Sequence, residues 1–285
     1  MSVRAVCLVA LAVVLVVTAP ASAGSFFLTG HDPDFHAFLG GNTAGASNIN
    51  NAAIDFVTDP AFNPLVAGGA TKFLFVESKG SVPSGHTLGV NGIIASGFTL
   101  GTDFDHHDFI TLNAALDALG TTYGAIVVAS DFGGILRQDE LDILNARSGD
   151  IIDFLNAGGG LYAMAESNGG AGLTPDGGHF GFLPFVVSST GFDQTEVGIT
   201  VTPFGVDLGL SNSDVNGNAS HNIFAGTFGL SVVDIDQFGN VLTLAGRGEI
   251  TDGGVGVVPE PATAALVAIG LAGLVAHGFR RRRIR

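Results

Sequence analysis

The stretch Ala125–Ala165, AIVVASDFGGILRQDELDILNARSGDIIDFLNAGGGLYAMA, decides the fold class. AIVVA at 125–129 is a continuous apolar run without alternation, the pattern of a strand buried on both faces. From Leu136 to Asn156, Leu141, Leu144, Ile151 and Leu155 fall on one helical stripe, and Ser148-Gly149 is its only weak point. Gly158-Gly159-Gly160 stops that helix, and LYAMA at 161–165 reads as the next strand. Strand, helix and strand joined by short connections make a right-handed crossover, which sets the two strands parallel.

The same alternation extends towards the N-terminus. SFFLT at 25–29 is a buried strand closed by Gly30-His31-Asp32-Pro33, and Ala44 to Val57 is a helix with Ile49, Ala52, Ala53 and Phe56 at helical spacing. TKFLFVE at 71–77 predicts a second strand, Gly92 to Ser96 a third, and Phe109 to Leu119 a further helix. The expectation is an α/β layered fold with a mostly parallel sheet. After Ser167 the pattern changes to short runs at 182–188, 196–202, 230–236 and 241–244, separated by Gly, Asn and Asp. These predict antiparallel strands that complete or flank the sheet, with Gln237-Phe238-Gly239-Asn240 as a closing hairpin turn.

Both ends of the 285-residue chain read as addresses. Met1 to Ala23 has one base, Arg4, an apolar run from Ala5 to Val17 and the small-x-small ending Ala21-Ser22-Ala23, the features of a signal peptide cleaved before Gly24. Cys7, the sole cysteine, would leave with it, so the mature chain has no disulfide, thiolate metal site or cysteine nucleophile. At the other end, Pro259-Glu260-Pro261 precedes eighteen residues without full charge, Ala262 to Phe279, and then Arg280, Arg281, Arg282, Arg283 and Arg285. Eighteen helical residues nearly span a bilayer core of about 30 Å, with the arginines on the cytoplasmic side. Motif, helix and basic cluster in this order resemble the PEP-CTERM sorting tail of Gram-negative bacteria. The resemblance implies export, a transient inner-membrane anchor at 262–279, and processing by signal peptidase and exosortase. The expected organisation is a signal at 1–23, one domain at 24–250, a Gly/Val linker at 251–258 and the tail at 259–285.

Between these ends, Lys72, Lys79, Arg137, Arg147 and Arg247 stand against twenty-five acids, a balance near −20. So acidic a surface excludes nucleic acid and anionic lipid as natural partners, and suits solubility outside the cell or divalent cations.

Four segments, FLTGHDPDFH, YGAIVVASD, GGGLYAMAES and SHNIFAG, together resemble the class I glutamine amidotransferase-like fold, a flavodoxin-like layered sheet, and within it the ThuA-like branch. That resemblance places the active residue in the turn after the glycine run and strand, a cysteine in amidotransferases and commonly a histidine in ThuA-like proteins. Here the matching position is Ala165, which can neither attack a carbonyl nor move a proton. A shift of one or two positions presents Glu166 or Ser167 instead, and His221 matches the late histidine of the family.

Several constellations carry candidate chemistry. His31, Asp32, Asp34 and His36 follow the first strand, where open α/β sheets bind ligands, and His31, Asp32 and His36 are metal candidates. A polar loop with a turn at Asp32-Pro33 is the competing reading. Asp103, Asp105, His106, His107 and Asp108 are a second candidate set, although Asp108 also suits the N-cap of the helix predicted after it. Asp214-Val-Asn216-Gly-Asn218 imitates the start of a calcium loop, but Ala219 and Ala225 stand where glycine and glutamate are required, so a solvated turn is expected. Glu166, Ser167 and His221, with Asp131, are the candidate acid/base group.

Two functions follow. The expected one is an exported, exosortase-processed surface or matrix protein whose amidotransferase-like domain is non-catalytic, in contact with extracellular polysaccharide and without a cofactor. The alternative is a divergent hydrolase or carbohydrate-active protein using Glu166 and His221, assisted by a divalent cation.

Overall fold

The computed structural model describes residues 23–82, 84–131, 134–164, 180–185, 187, 189–191, 197–218, 220–251 and 253–257. The predicted signal peptide, Ala165, Glu166, Ser167, the Pro259-Glu260-Pro261 motif, the apolar stretch 262–279 and the terminal arginines lie outside them. Among the described residues no helix is long and apolar enough to cross a membrane. Residues 22–256 form one compact unit.

The strands are β1 Gly24–Thr29, β2 Lys72–Val76, β3 Phe104–His107, β4 Tyr123–Val128, β5 Gly160–Met164, β6 Ser189–Gly191, β7 Thr200–Val201, β8 Asn222–Phe224, β9 Ser231–Ile235, β10 Val241–Thr251 and β11 Gly254–Val257. The helices are α1 Pro33–His36, α2 Thr43–Thr58, α3 Pro64–Ala67, α4 Val90–Ala95, α5 Leu112–Ala115, α6 Gln138–Ala146, α7 Ser148–Asn156, α8 Pro203–Asp207 and α9 Asn212–Val215. One large mixed sheet runs β3-β2-β4-β5-β1-β10-β8-β6, and β9 and β11 also pair with β10. Strands β3 to β1 along this path are parallel, and from β1 onward the pairings are antiparallel.

Apart from the polar edge strand β3, the parallel strands are largely apolar on both faces because helices cover both. Phe27, Phe73, Phe75, Ala125, Val127 and Tyr162 pack with Ile49, Ala53, Val57 and Ile93 of α2 and α4. Their neighbours Phe26, Leu28, Leu74, Val76, Ile126, Val128 and Leu161 pack with Leu112, Leu141, Leu144, Ile151 and Leu155 of α5, α6 and α7. Alternate residues thus serve opposite layers, as the two-residue period of a strand requires. The chain leaves β2 for α4 on one face and β4 for α6 on the other. Since β2 and β4 are neighbours, their carboxyl ends flank the switch point of the sheet, where such folds open a crevice.

The structure corrects several boundaries. Gly92 to Ser96 is not a strand: α4 forms there because the Glu77 carboxylate accepts the backbone N–H groups of Gly89 and Val90, satisfying the start of a helix. The third strand is Phe104–His107, inside the second candidate metal set. The helix expected at 109–119 contracts to α5 and a 3-10 turn at Leu116–Ala118, with Thr111 and not Asp108 at its N-cap. The helix expected at 136–156 is two, hinged at Arg147, whose guanidinium ties Asp117 and Asp150 across the break. The strand expected at 182–188 is turn and bend over its described residues, with β6 following it. The run at 196–202 yields only β7 within its described part. The expected linker is partly sheet, because β10 extends to Thr251 and β11 pairs back onto it.

Candidate functional site

Three groups of polar side chains line the carboxyl edge of the parallel strands. The first follows β1. His31 is still extended and forms an antiparallel bridge with Ser220, which lets His221 N donate to Gly30 O at 3.0 Å. This pairing requires glycine at position 30, since a Cβ there would lie 2.1 Å from Asn222 O. Asp32 then turns the chain into α1 without using its side chain as a cap. Asp32 Oδ1 instead lies 3.4 Å from His36 Nε2 and 4.0 Å from His221 Nε2. Asp32 is buried, whereas the two imidazoles retain some solvent contact. Ligand atoms of Asp32, His36 and His221 all lie within 4.8 Å of one another, and no other such histidine/carboxylate trio occurs among the described residues.

His31 leaves this set. In an extended chain, successive side chains point to opposite sides. His31 therefore turns away from Asp32 and joins Asp234 of β9, Nε2 to Oδ2 at 2.9 Å, with both groups buried. Of the expected set His31, Asp32 and His36, the last two converge with His221, and His31 stands apart.

The second group is centred on Asp34, fully buried in α1. Its carboxylate reaches over β5 to the end of β4, accepting from Ser130 N at 2.9 Å and Ser130 Oγ at 2.8 Å. Burial pushes the Asp34 carboxyl up to about 6, against the opposing pull of the Ser130 and Phe35 hydrogen bonds. The Ser130 hydroxyl donates to Asp34 and accepts from Gly134 N, which ties the loop after β4 to α1.

The third group is Glu77 at the end of β2. Its oxygens accept from the backbone N–H groups of Gly89, Val90 and Ile135, which binds the α4 start and the loop after β4 to one carboxyl. Burial, with the Asp34 charge second, pushes Glu77 up to about 8. His106 Nε2 lies 3.3 Å from Glu77 Oε2, and burial pushes that imidazole down to about 4. Near neutral pH both groups are uncharged.

The other candidates disperse. Within β3 and its flanks, Asp105 pairs with Lys72 at 3.0 Å and shares the Tyr123 hydroxyl with His107, His106 between them turns to Glu77, and Asp103 accepts from Thr99 N. Asp214 closes a capping box with Ser211, Asn216 holds the backbone of Ile199, and Asn218 holds that of Asn42. Asp131, buried at the end of β4, is the described member of the proposed acid/base group besides His221. A groove of about 510 Å³ lined by Leu65, Leu119, Arg147 and Phe154 lies beside the residues that lead into β4 and β5, at the other edge of the sheet.

Sequence reasoning missed Glu77 and Ser130. The signal for Glu77 was present, an acid directly after the apolar run FLFV, but its partners come from segments 12 and 58 residues away.

Residues 257–283 match the family described as the PEP-CTERM protein-sorting motif. The match covers the tail and marks the chain as an exported, exosortase-targeted protein. No family match supports the amidotransferase-like or ThuA-like resemblance. No curated protein and no solved structure matches the chain.

Proposed function

We propose that this chain is a surface or extracellular-matrix protein whose α/β domain is non-catalytic. In this reading the signal peptide at 1–23 directs export, a helix at 262–279 holds the chain in the inner membrane, and exosortase then releases the domain to the surface or to extracellular polysaccharide. The observation that carries it is the sorting motif at 257–283. The acidic balance of the exported part and the alanine at position 165 support it. Replacing Pro259-Glu260-Pro261 with alanines tests it: in a host that carries exosortase, fractionation and intact-mass analysis should find full-length protein retained in the inner membrane. Release of the same mature form as before would refute the sorting role.

The hydrolase alternative draws on one observation, the proximity of His221 to Asp32 at the strand edge. It assigns proton transfer to Glu166 and His221. Turnover of glycans, esters or amides that disappears in Glu166→Ala would establish it, and absence of turnover would leave the non-catalytic reading standing.

A further inference from the structure

We propose that Asp32, His36 and His221 form a mononuclear site for a borderline divalent cation of the Zn²⁺ class. The inference is independent of whether the domain is catalytic. Two imidazole nitrogens with one carboxylate oxygen are the donors such ions select, whereas Ca²⁺ and Mg²⁺ prefer all-oxygen sets.

The geometry is close to that required. Zinc bonds of about 2.0–2.2 Å in a tetrahedron set neighbouring ligand atoms about 3.3 Å apart. His36 Nε2 and Asp32 Oδ1 stand at 3.4 Å, and His221 Nε2 is 4.0 Å from the same oxygen. Binding an ion therefore requires the His221 imidazole to move closer to Asp32 Oδ1 than its 4.0 Å.

The imidazole orientation points the same way. His36 Nδ1 faces Gly40 O at 3.4 Å. A carbonyl only accepts, so this contact needs the proton on Nδ1, and in the neutral imidazole the Nε2 lone pair then lies on the Asp32 side. A ligating histidine that gives its other N–H to a backbone carbonyl is the usual outer support of a metal site. The loop that supplies Gly40 is held by tight packing, since a Cβ on Gly41 would meet Asn218 Oδ1 at 2.0 Å. His221 comes from a segment 185 residues from His36, so a bound ion would clamp the β1 loop to the antiparallel extension.

The test uses the full chain, purified in detergent with a histidine-free tag, stripped with chelator and titrated with Zn²⁺ alone. One equivalent per chain is expected. Asp32→Asn, His36→Gln and His221→Gln should each weaken binding by at least about 100-fold, the upper end of the loss from removing a mere outer partner. His107→Gln, on β3, should bind as wild type does. No retained Zn²⁺ in the wild type, or wild-type affinity in both His36→Gln and His221→Gln, would overturn the site. Should those variants fail to fold, Co²⁺ in the wild type decides: paramagnetically shifted imidazole resonances should count two histidine ligands, and fewer would refute the assignment.

Discussion

Replacing Glu77 with glutamine should flatten the decline in stability between pH 6.5 and pH 8. In the fold, burial and the Asp34 charge keep Glu77 protonated up to about 8, whereas its ordinary value is 4.5. Between these values the folded chain holds a proton that the unfolded chain has released, so stability falls as pH rises across that window. His106 acts in the opposite sense: neutral in the fold down to about 4 and ordinarily titrating at 6.5, it raises stability from pH 4 to 6.5. Asp34, shifted from 3.8 to about 6, lowers stability across that lower range. Above pH 6.5, of the three, only Glu77 is still changing. About 1.5 pH units at about 1.4 kcal/mol each give a loss of about 2 kcal/mol by pH 8. Glu77→Gln retains an acceptor for Gly89 and Ile135 but sets an amide against Val90 N–H, a pH-independent cost of about 1–3 kcal/mol. The assay is urea denaturation of both proteins at half-unit pH steps. Parallel declines from pH 6.5 to 8 would show that Glu77 is already ionised in the fold and refute the argument.

Two further outcomes test the framework. Gly30→Ala drives a Cβ to 2.1 Å from Asn222 O and should cost about 1–3 kcal/mol, read as a lower denaturation midpoint; an unchanged midpoint would mean that the β1 end and residues 220–222 are not paired as described. The Arg247 guanidinium lies 4.0 Å from the Phe56 ring centre and 3.7 Å from that of Phe62, so Arg247→Ala should cost about 1 kcal/mol and lower Tm by roughly 2–4 °C, with no shift arguing that these contacts are too solvated to matter.

Four of the five parallel strands were legible in the sequence because burial on both faces restricts residue choice, as in SFFLT, KFLFV and AIVVA; β3 was not, because its Asp and His residues, on the edge of the sheet, carry no apolar pattern. Gly92 to Ser96 was not, because the apolar pair Ile93-Ile94 suits strand or helix alike, and a carboxylate fifteen residues upstream decides between them. The same limit applies to the candidate site. Asp32 and His36 were visible as members of the polar cluster after the first strand, and His221 only through a resemblance that no family match supports. The exchange of His31 for His221 depends on a bridge between residues 31 and 220 that no local pattern encodes.

Strand β1 lies between β5 and β10, with Gly24 opposite Gly248 and Ser25 opposite Gly160. The first described strand is therefore a central strand of the sheet, and one of its neighbours comes near the end of the described residues. Closing the β1–β10 loop demands that some 220 residues be present, whereas β1 pairs with β5 across about 135. Of its two pairings, the one between β1 and β10 thus carries the higher loop-closure cost, and the seam between the parallel and antiparallel halves is the contact that a C-terminally shortened domain would lose.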